Sequence, residues 1–128
     1  MTKKIFNEIL LHCKEAYPQE ACGILAGMNG VVERIYRVTN TEKSGVNYVM
    51  DSREQFEVMK EIRQRRLEIT AIYHSHPYSD ASPSQKDIML AFYPDSFYVI
   101  VSLIYEEPAV KAYEIRDRIV REIEIVCT

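Results

Sequence analysis

The sequence predicts an α/β fold in which a mixed β-sheet is flanked by helices. Residues 3–16 place apolar side chains at helical spacing, and the stretch after Asp51 does the same. Short runs rich in β-branched and aromatic residues lie between them, and turn signals such as Asn29-Gly30 separate these runs. Helices that alternate with strands in this way are typical of a sheet with helices on its faces.

The first half of the chain is predicted to contain two helices, a hairpin and a central strand. The first helix places Ile5, Phe6, Ile9, Leu10 and Cys13 at helical spacing for packing on the sheet, and Pro18 closes the element. The predicted elements are a helix at 3–16, hairpin strands at 21–28 and 31–38, a polar loop at 40–46, a short strand at 47–50, a helix from Asp51 or Ser52 to about Leu67, and a strand at 69–76. The second helix is predicted to place Phe56, Met59 and Ile62 on its inner face.

The second half is predicted to return to the sheet through one more helix. A Ser- and Pro-rich loop at 77–83 comes first, and Pro94 limits the helix that follows it. The remaining predicted elements are a helix at 84–92, a buried strand at 97–104, a strand at 109–115, a turn at Asp117-Arg118 and a terminal alternating strand at 119–126. No linker or repeat divides these elements, so we expect a single domain over residues 1–128.

Composition and charge narrow the classes of partner. The formal net charge of -3 gives no polyanion-binding footprint, so we expect no nucleic-acid partner. No run of about 20 apolar residues is present, and we expect neither a membrane span nor, because Asn7 and Glu8 interrupt the early apolar stretch, a signal peptide. Three cysteines cannot all pair within one chain, which favours a reducing cytoplasm. Oligomeric state stays open, with a homodimer as one option.

The segment from Tyr73 to Asp87 carries the chemistry. His74 and His76 alternate with Ser75 at the end of the apolar strand, so both imidazoles point to one face, about 7 Å apart along the backbone. Pro77 ends strand pairing, and Asp87 follows far enough along the chain for a loop to return a carboxylate to the same place. Two His, one Asp and an open position for water are typical of a hydrolytic zinc site.

Each part of this pattern also has an ordinary structural interpretation. A spaced pair of histidines occurs without metal, and Ser84 with Asp87 fits a capping box that starts the next helix. A residue of the first helical turn can still face a metal, so the two interpretations overlap. Glu20 by itself is typical of a solvated residue between a helix and a strand.

Taken together, these residues resemble the JAMM (MPN+) metalloprotease family. His74-Ser75-His76-Pro77 is followed by Ser84 and Asp87 at the family's spacing, and the run from Pro18 to Gly27 is similar to its upstream Pro-x-Glu-x-Cys-Gly-Leu-Leu-x-Gly element. The resemblance implies a JAMM/MPN fold, related to that of cytidine deaminases, with one zinc ion bound by His74, His76 and Asp87. It also implies that Glu20 is the general base and that Ser84 donates a hydrogen bond to the oxyanion.

The same resemblance implies a substrate class. Members cleave peptide or isopeptide bonds after the tail of a ubiquitin-like protein, and the short form of this chain suggests a ubiquitin-like or sulfur-carrier protein with a Gly-Gly tail. An extended tail would pair with an exposed strand edge, with loops 40–50 and 77–83 as the candidate groove walls. The alternatives are a non-catalytic MPN scaffold, which the full ligand set disfavours, and a zinc deaminase, which the absence of a Cys-x-x-Cys pair disfavours.

Overall fold

The computed structural model describes residues 1–128 and contains six strands in one mixed sheet, ordered β2-β1-β3-β4-β5-β6. The bounds are α1 Lys3–Ala16, β1 Cys22–Met28, β2 Val31–Val38, α2 Ser52–Gln64, β3 Glu68–His76, α3 Gln85–Met89, β4 Phe97–Ser102, β5 Ala109–Arg116 and β6 Ile119–Ile123. The prediction of a mixed sheet flanked by helices is confirmed.

Strand β3 lies in the middle of the sheet and is buried from Thr70 to its last residue. It pairs antiparallel with β1, with Cys22 opposite His74, and parallel with β4, with His76 opposite Ser102. A strand covered on both faces and paired on both edges needs an unbroken apolar run, and Ile69 to Tyr73 supplies it. The parallel crossover from β3 to β4 contains α3, which brings that helix to the end of the sheet where β3 stops.

Helix α1 covers one face of the sheet. Thr2 caps it, since its Oγ1 accepts a hydrogen bond from the Ile5 amide at 3.2 Å. Its apolar stripe packs against the central strands, where Gly23 lies opposite Tyr73 and leaves room for that ring. The resulting core joins α1 to the first five strands of the sheet, β1 to β5, through Ile5, Ile9, Cys13, Ala21, Leu25, Val32, Ala71, Tyr73, Val99, Val101 and Ala112.

Helix α2 and the segment around α3 cover the other face. Ile62 of α2 packs on Cys22, Ile24 and Val38. Farther along the sheet, Ala81 packs with a cluster from β3, β4 and β5. His74 and His76 share this second face with Ile72, because side chains on one face alternate along the strand. The site therefore lies on the α2 and α3 side of the sheet, at the end where β3 stops.

Helix α2 is shorter than predicted, and its inner stripe is partly different. It ends at Gln64 because Arg66 adopts a positive φ of 57° and Leu67 returns its amide to the Ile62 carbonyl, so the predicted end near Leu67 is wrong. Phe56 is 64% exposed, which contradicts its predicted place in the stripe. The buried face runs through Val58 and Ile62, which are four residues apart, and Phe56 points away from it.

Four other predicted bounds are wrong. Residues 47–50 form no strand, because this segment is held by side-chain hydrogen bonds and by a single bridge between Asn40 and Met50. Helix α3 stops at Met89 instead of residue 92, and none of its residues is buried. Strand β4 stops at Ser102 rather than 104. Strand β6 stops at Ile123, since the following residues leave β5 and pair with the N-terminus, where the Met1 amine donates to the Val126 carbonyl at 2.8 Å.

A helix crosses a bilayer only if it is long and predominantly apolar. None of the three helices α1, α2 and α3 has that length and apolar character.

Candidate metal centre

His74 and His76 lie at the end of β3 with their Nε2 atoms 3.1 Å apart. Both side chains are buried. The Nδ1 atom of His76 lies 2.7 Å from the Asp80 carbonyl, to which it donates its proton, so Nε2 of the neutral ring keeps its lone pair. The ring of His74 stacks on Tyr48 with centroids 4.7 Å apart, and its Nδ1 has no partner within the protein.

Helix α3 brings Asp87 to the two imidazoles. Ser84 and Asp87 form a capping box: the Ser84 hydroxyl accepts from the Asp87 amide at 3.0 Å, and the Asp87 carboxylate accepts from the Ser84 amide at 2.9 Å. The same carboxylate oxygen, Oδ2, lies 3.2 Å from His74 Nε2 and 3.1 Å from His76 Nε2. The geometry therefore agrees with both interpretations of this segment, the capping box and the candidate metal ligand, because Asp87 takes part in the cap and also faces the imidazoles.

The three ligand atoms fit a divalent cation. In tetrahedral zinc coordination, ligands about 2.0–2.1 Å from the ion lie roughly 3.3 Å from one another, close to the 3.1–3.2 Å found here. Burial disfavours ionisation of Asp87, but hydrogen bonds with His74 and His76 outweigh it and hold the pKa of this carboxyl well below its usual range. Two imidazole nitrogens and one carboxylate would leave the fourth position of a tetrahedral ion open.

Glu20 lies next to this cluster across the β1–β3 pair. Ser75 donates its amide to the Ala21 carbonyl, so the register that pairs Cys22 with His74 continues outward and sets Glu20 opposite His76, on the same face. Glu20 is only 4% exposed. Burial raises the pKa of its carboxyl to about 7, with His76 opposing that shift and Asp87 adding to it. A carboxyl of this kind can accept and return a proton near neutral pH.

Ser84 is exposed at the start of α3. Its Oγ accepts from the Asp87 amide, so its own proton remains free to be donated to another group. Ser84 and Asp87 both line a cavity of about 190 Å³ that opens beside the imidazoles. The structure thus brings together all five residues that the sequence singled out: Glu20, His74, His76, Ser84 and Asp87.

The cavity continues as a mostly apolar groove between the segment 46–50 and the residues around α3. Its walls include Tyr48, Leu90 and Phe92. The expectation that loop 40–50 would form one wall agrees with this lining, whereas loop 77–83 contributes no lining residue. Loop 77–83 instead supports a candidate ligand through the contact between the Asp80 carbonyl and His76.

Two residues of this region were missed by the sequence analysis. Tyr48 stacks on His74, and Asn40 is 8% exposed within a loop whose other residues are mostly solvated. Neither belongs to a recognisable motif, since Tyr48 is one of nine tyrosines and Asn40 stands in a polar stretch that reads as an ordinary loop. A single asparagine that uses every donor and acceptor of its amide leaves no periodic pattern in the sequence.

Comparisons with known proteins identify the family. A family model described as prokaryotic homologs of the JAB domain matches residues 2–117. The CysO-cysteine peptidase of Mycobacterium tuberculosis is 40% identical over 100 residues, which cover 77% of this chain and 68% of that protein. The desampylase of Haloferax volcanii is 33% identical over 103 residues, covering 75% of this chain and 74% of the relative.

Solved structures agree at the level of the fold. A protein from Desulfitobacterium hafniense superposes with a TM-score of 0.88 and 38% identity, covering 99% of this chain and 90% of that one. A JAB1/MPN domain protein from Archaeoglobus fulgidus superposes with a TM-score of 0.65 and 23% identity, covering 94% of this chain and 91% of that one.

The chain belongs to the prokaryotic JAB family, and the predicted resemblance to JAMM/MPN proteins is confirmed. Its fold is that of a JAB1/MPN domain. The expected enzyme class is confirmed as well: the chain is a hydrolase of the JAMM peptidase type, with a candidate metal site formed by two histidines and an aspartate.

Proposed function

We propose that this chain is a zinc-dependent peptidase that hydrolyses the peptide or isopeptide bond after the C-terminal tail of a ubiquitin-like or sulfur-carrier protein. The convergence of His74, His76 and Asp87 on one point, with ligand atoms 3.1–3.2 Å apart, carries the proposal. The names of the relatives, a peptidase for a CysO–cysteine conjugate and a desampylase, support the substrate class.

His74, His76 and Asp87 are proposed as the ligands of one zinc ion. Neutral imidazole and carboxylate are zinc ligands, and three protein ligands with a fourth position for water are typical of catalytic rather than structural sites. When bound, zinc would acidify a water molecule and polarise the scissile carbonyl. The lowered pKa of the Asp87 carboxyl favours its ionised form, which is the form that binds a cation.

Glu20 is proposed as the general base and Ser84 as an oxyanion donor. The buried Glu20 carboxylate takes a proton from the attacking water and later delivers it to the leaving amine, which a pKa of about 7 suits in both directions. The Ser84 hydroxyl, oriented by the Asp87 amide, donates a hydrogen bond to the oxygen on which negative charge develops.

The groove beside Asp87 is proposed to hold the tail of the substrate. The Asn47 amide and both backbone groups of Tyr48 have no hydrogen-bond partner within the chain, so an extended peptide could pair with this segment as an added strand. The tail would then run past Asp87 toward Glu20. The leaving group would be a peptide, a lysine side chain or a single amino acid.

Other features of the proposal concern the chain as a whole. Residues 1–128 are proposed as a single domain, because one sheet unites the elements from β1 to β6. Three free cysteines, two of them buried, support a reducing compartment such as the cytoplasm. A homodimer stays a prediction, as do the expected absences of nucleic-acid and membrane partners.

The first experiment measures bound zinc and cleavage on the same preparation. The substrate is a ubiquitin-like protein with a short extension after its Gly-Gly tail, and the variants are Glu20→Gln, His76→Ala and Ser84→Asp. We expect Glu20→Gln to keep stoichiometric zinc and lose activity by about 10²–10⁴-fold, while His76→Ala loses both. Ser84→Asp keeps a capping acceptor but cannot donate, so we expect activity to fall by about 10²–10³-fold.

Glu57→Gln, at an exposed position on α2, is the matched control and should behave like the parent protein. If the parent protein binds no zinc after reconstitution, the proposal of a zinc-dependent enzyme is refuted, and the non-catalytic scaffold is the remaining alternative. Full activity of Glu20→Gln would refute the assignment of the base.

A further inference from the structure

The segment between β2 and α2 is held by one buried side chain, Asn40. Its amide makes four hydrogen bonds within the chain. Nδ2 donates to the Glu20 carbonyl at 3.1 Å and to the Asn47 carbonyl at 3.0 Å, and Oδ1 accepts from the amides of Glu42 at 3.1 Å and Val49 at 3.0 Å. An asparagine amide offers two donor hydrogens and two acceptor lone pairs, so its whole capacity is used.

Both backbone groups of Glu20 depend on this segment. The Glu20 carbonyl accepts from Asn40, and the Glu20 amide donates to the Ser44 carbonyl at 2.7 Å. Glu20 lies just outside the β1 ladder, whose last contacts toward the site are those between Ala21 and Ser75. The sheet register thus sets the face on which Glu20 lies, while both backbone hydrogen bonds of Glu20 are made with the loop.

The far side of the same segment reaches the candidate ligands. Asn47, whose carbonyl accepts from Asn40, also accepts a hydrogen bond at its Oδ1 from Lys86 at 3.1 Å, next to Asp87. Tyr48, the next residue, stacks on the ring of His74. The Nδ2 atom of Asn40 thus joins the carbonyl of Glu20 to the segment 46–50, which lines the groove. That segment in turn contacts helix α3 and the ring of His74.

We infer that Asn40 is a positioning residue for the reaction: it fixes the Glu20 backbone and the groove wall at residues 46–50 relative to each other. This inference rests on the proposed function and adds a residue that touches neither substrate nor metal. Because the base and the tail of the substrate must approach the same carbonyl, a displacement of one against the other lowers the rate without removing any reacting group.

Asn40→Asp is the sharpest test. An aspartate of nearly the same shape can still accept from Glu42 and Val49, but it cannot donate, and its charge faces the carbonyl oxygens of Glu20 and Asn47. We expect kcat to fall at least tenfold and KM to rise, with zinc content unchanged, since every candidate ligand lies on β3 or α3. Asn7→Asp, which adds the same charge at an exposed position on α1, is the control and should match the parent protein.

Amide hydrogen exchange supplies a readout that needs no substrate. In Asn40→Asp the Glu20 amide, which donates to Ser44, and the Val46 amide, which donates to the Ser44 hydroxyl at 3.1 Å, should exchange at least tenfold faster than in the parent protein. The Ile24 amide, at the centre of the β1 ladder, should not change.

The results separate this inference from the proposed function. If the parent protein cleaves no conjugate, the proposed function fails, while amide exchange still decides whether Asn40 holds Glu20. A lower melting temperature in Asn40→Asp with parental kcat, KM and exchange at Glu20 would overturn the inference, because it describes a purely structural role. Should Asn40→Asp fail to fold, Asn40→Ser takes its place, and loss of folding in both variants would also overturn it.

Discussion

Glu20 and His12 are both shielded from solvent, and shielding moves their pKa values in opposite directions. Burial disfavours whichever form is charged, so it raises the pKa of the Glu20 carboxyl to about 7 and lowers that of the His12 imidazole to about 4. Glu20 faces the imidazoles, where a proton acceptor is useful. His12 lies on the opposite face, where its Nδ1 accepts a hydrogen bond from the Tyr73 hydroxyl at 2.6 Å.

The lowered pKa of His12 predicts a pH-dependent contribution to stability. The unfolded chain binds a proton at His12 near pH 6.5, whereas the folded chain resists protonation until about pH 4. The contribution is therefore complete above pH 6.5 and is lost as the pH falls toward 4. Because the ring is partly exposed, we expect a loss of roughly 1–3 kcal/mol.

Urea unfolding at about pH 7.5, 5.5 and 4.5 can measure this effect across the range in which the contribution is lost. The matched variant is His12→Gln, which keeps a hydrogen-bonding side chain that does not titrate. We expect the free energy of unfolding to fall more steeply with decreasing pH in the parent protein than in His12→Gln. Parallel curves for the two proteins would contradict the assignment to His12.

Among single residues, the sequence predicted the positions of those site residues that belong to a strong local pattern. His74 and His76 alternate on a strand, and Ser84 with Asp87 has the spacing of a helix cap, so periodicity alone sets their orientation. Asn40 could not be found in this way. Its importance comes from contacts with residues on both sides of it in the sequence, and those contacts exist only once the chain is folded.

Helix α3 is an element that a bound cation would stabilise. It has five residues, none of them buried, and a helix of that length is not stable in isolation. Asp87 links it to the sheet through His74 and His76, and Ile88 packs against the apolar cluster of β3, β4 and β5. A cation shared by these three side chains would close the chain between residues 76 and 87 and tie α3 to β3.

Removal of the metal should therefore loosen one element and leave the sheet intact. After chelation we expect faster amide exchange across residues 80–92 and unchanged exchange in β1, β3 and β4. The melting temperature should fall, and added Zn²⁺ should restore it. Uniform exchange changes throughout the sheet, or none around α3, would contradict this view of the element.

Element type proved more predictable than element length. The N-terminus of α2 was predicted from its capping residue, and Asp51 does accept from the Glu54 amide at 2.9 Å. Its end was placed too late because Arg66 turns the chain with a positive φ, a conformation that no glycine announces in the sequence. Apolar residues after Met89 suggested a longer α3, but Leu90 and Phe92 face the groove and its rim instead of a core.

At the scale of the whole molecule, the two chain termini cover the end of the sheet that is remote from the candidate metal centre. Residues 124–128 run beside the N-terminus, where the Thr128 amide donates a hydrogen bond to the Met1 carbonyl at 3.0 Å. Together with Met1 and Thr2 they line a cavity of about 520 Å³ at the starts of β3 and β4, and its mainly apolar lining includes Leu25, Val99 and Ile125.

Replacement of residues 124–128 by a Gly/Ser segment of equal length should separate stability from chemistry. The loss of the packing of Ile125 against the core is expected to lower the free energy of unfolding by about 1–3 kcal/mol. Zinc content and kcat/KM at 20 °C or below, well under the melting transition of the variant, should stay at parental values, since no candidate site residue lies at that end. A matching loss of zinc would contradict the separation of the two ends.

The order of strands in the sheet was beyond what the sequence could provide. Periodicity identifies a strand by its own residues, whereas pairing depends on partners that are distant in the chain. One requirement follows from the role that the family resemblance implies for Glu20: β1 must lie beside β3 if Glu20 is to act with His76. The register of β1 with β3 meets that requirement.

The position of β4 in the chain has a consequence for biosynthesis. Every side chain proposed for the reaction lies between Glu20 and Asp87, so a ribosome completes the chemical set before it reaches β4. Until β4 is made, β3 has an unpaired edge, and the His76 carbonyl lacks the Leu103 amide that donates to it at 3.1 Å. Maturation of the site therefore awaits a strand that supplies none of its reactive groups.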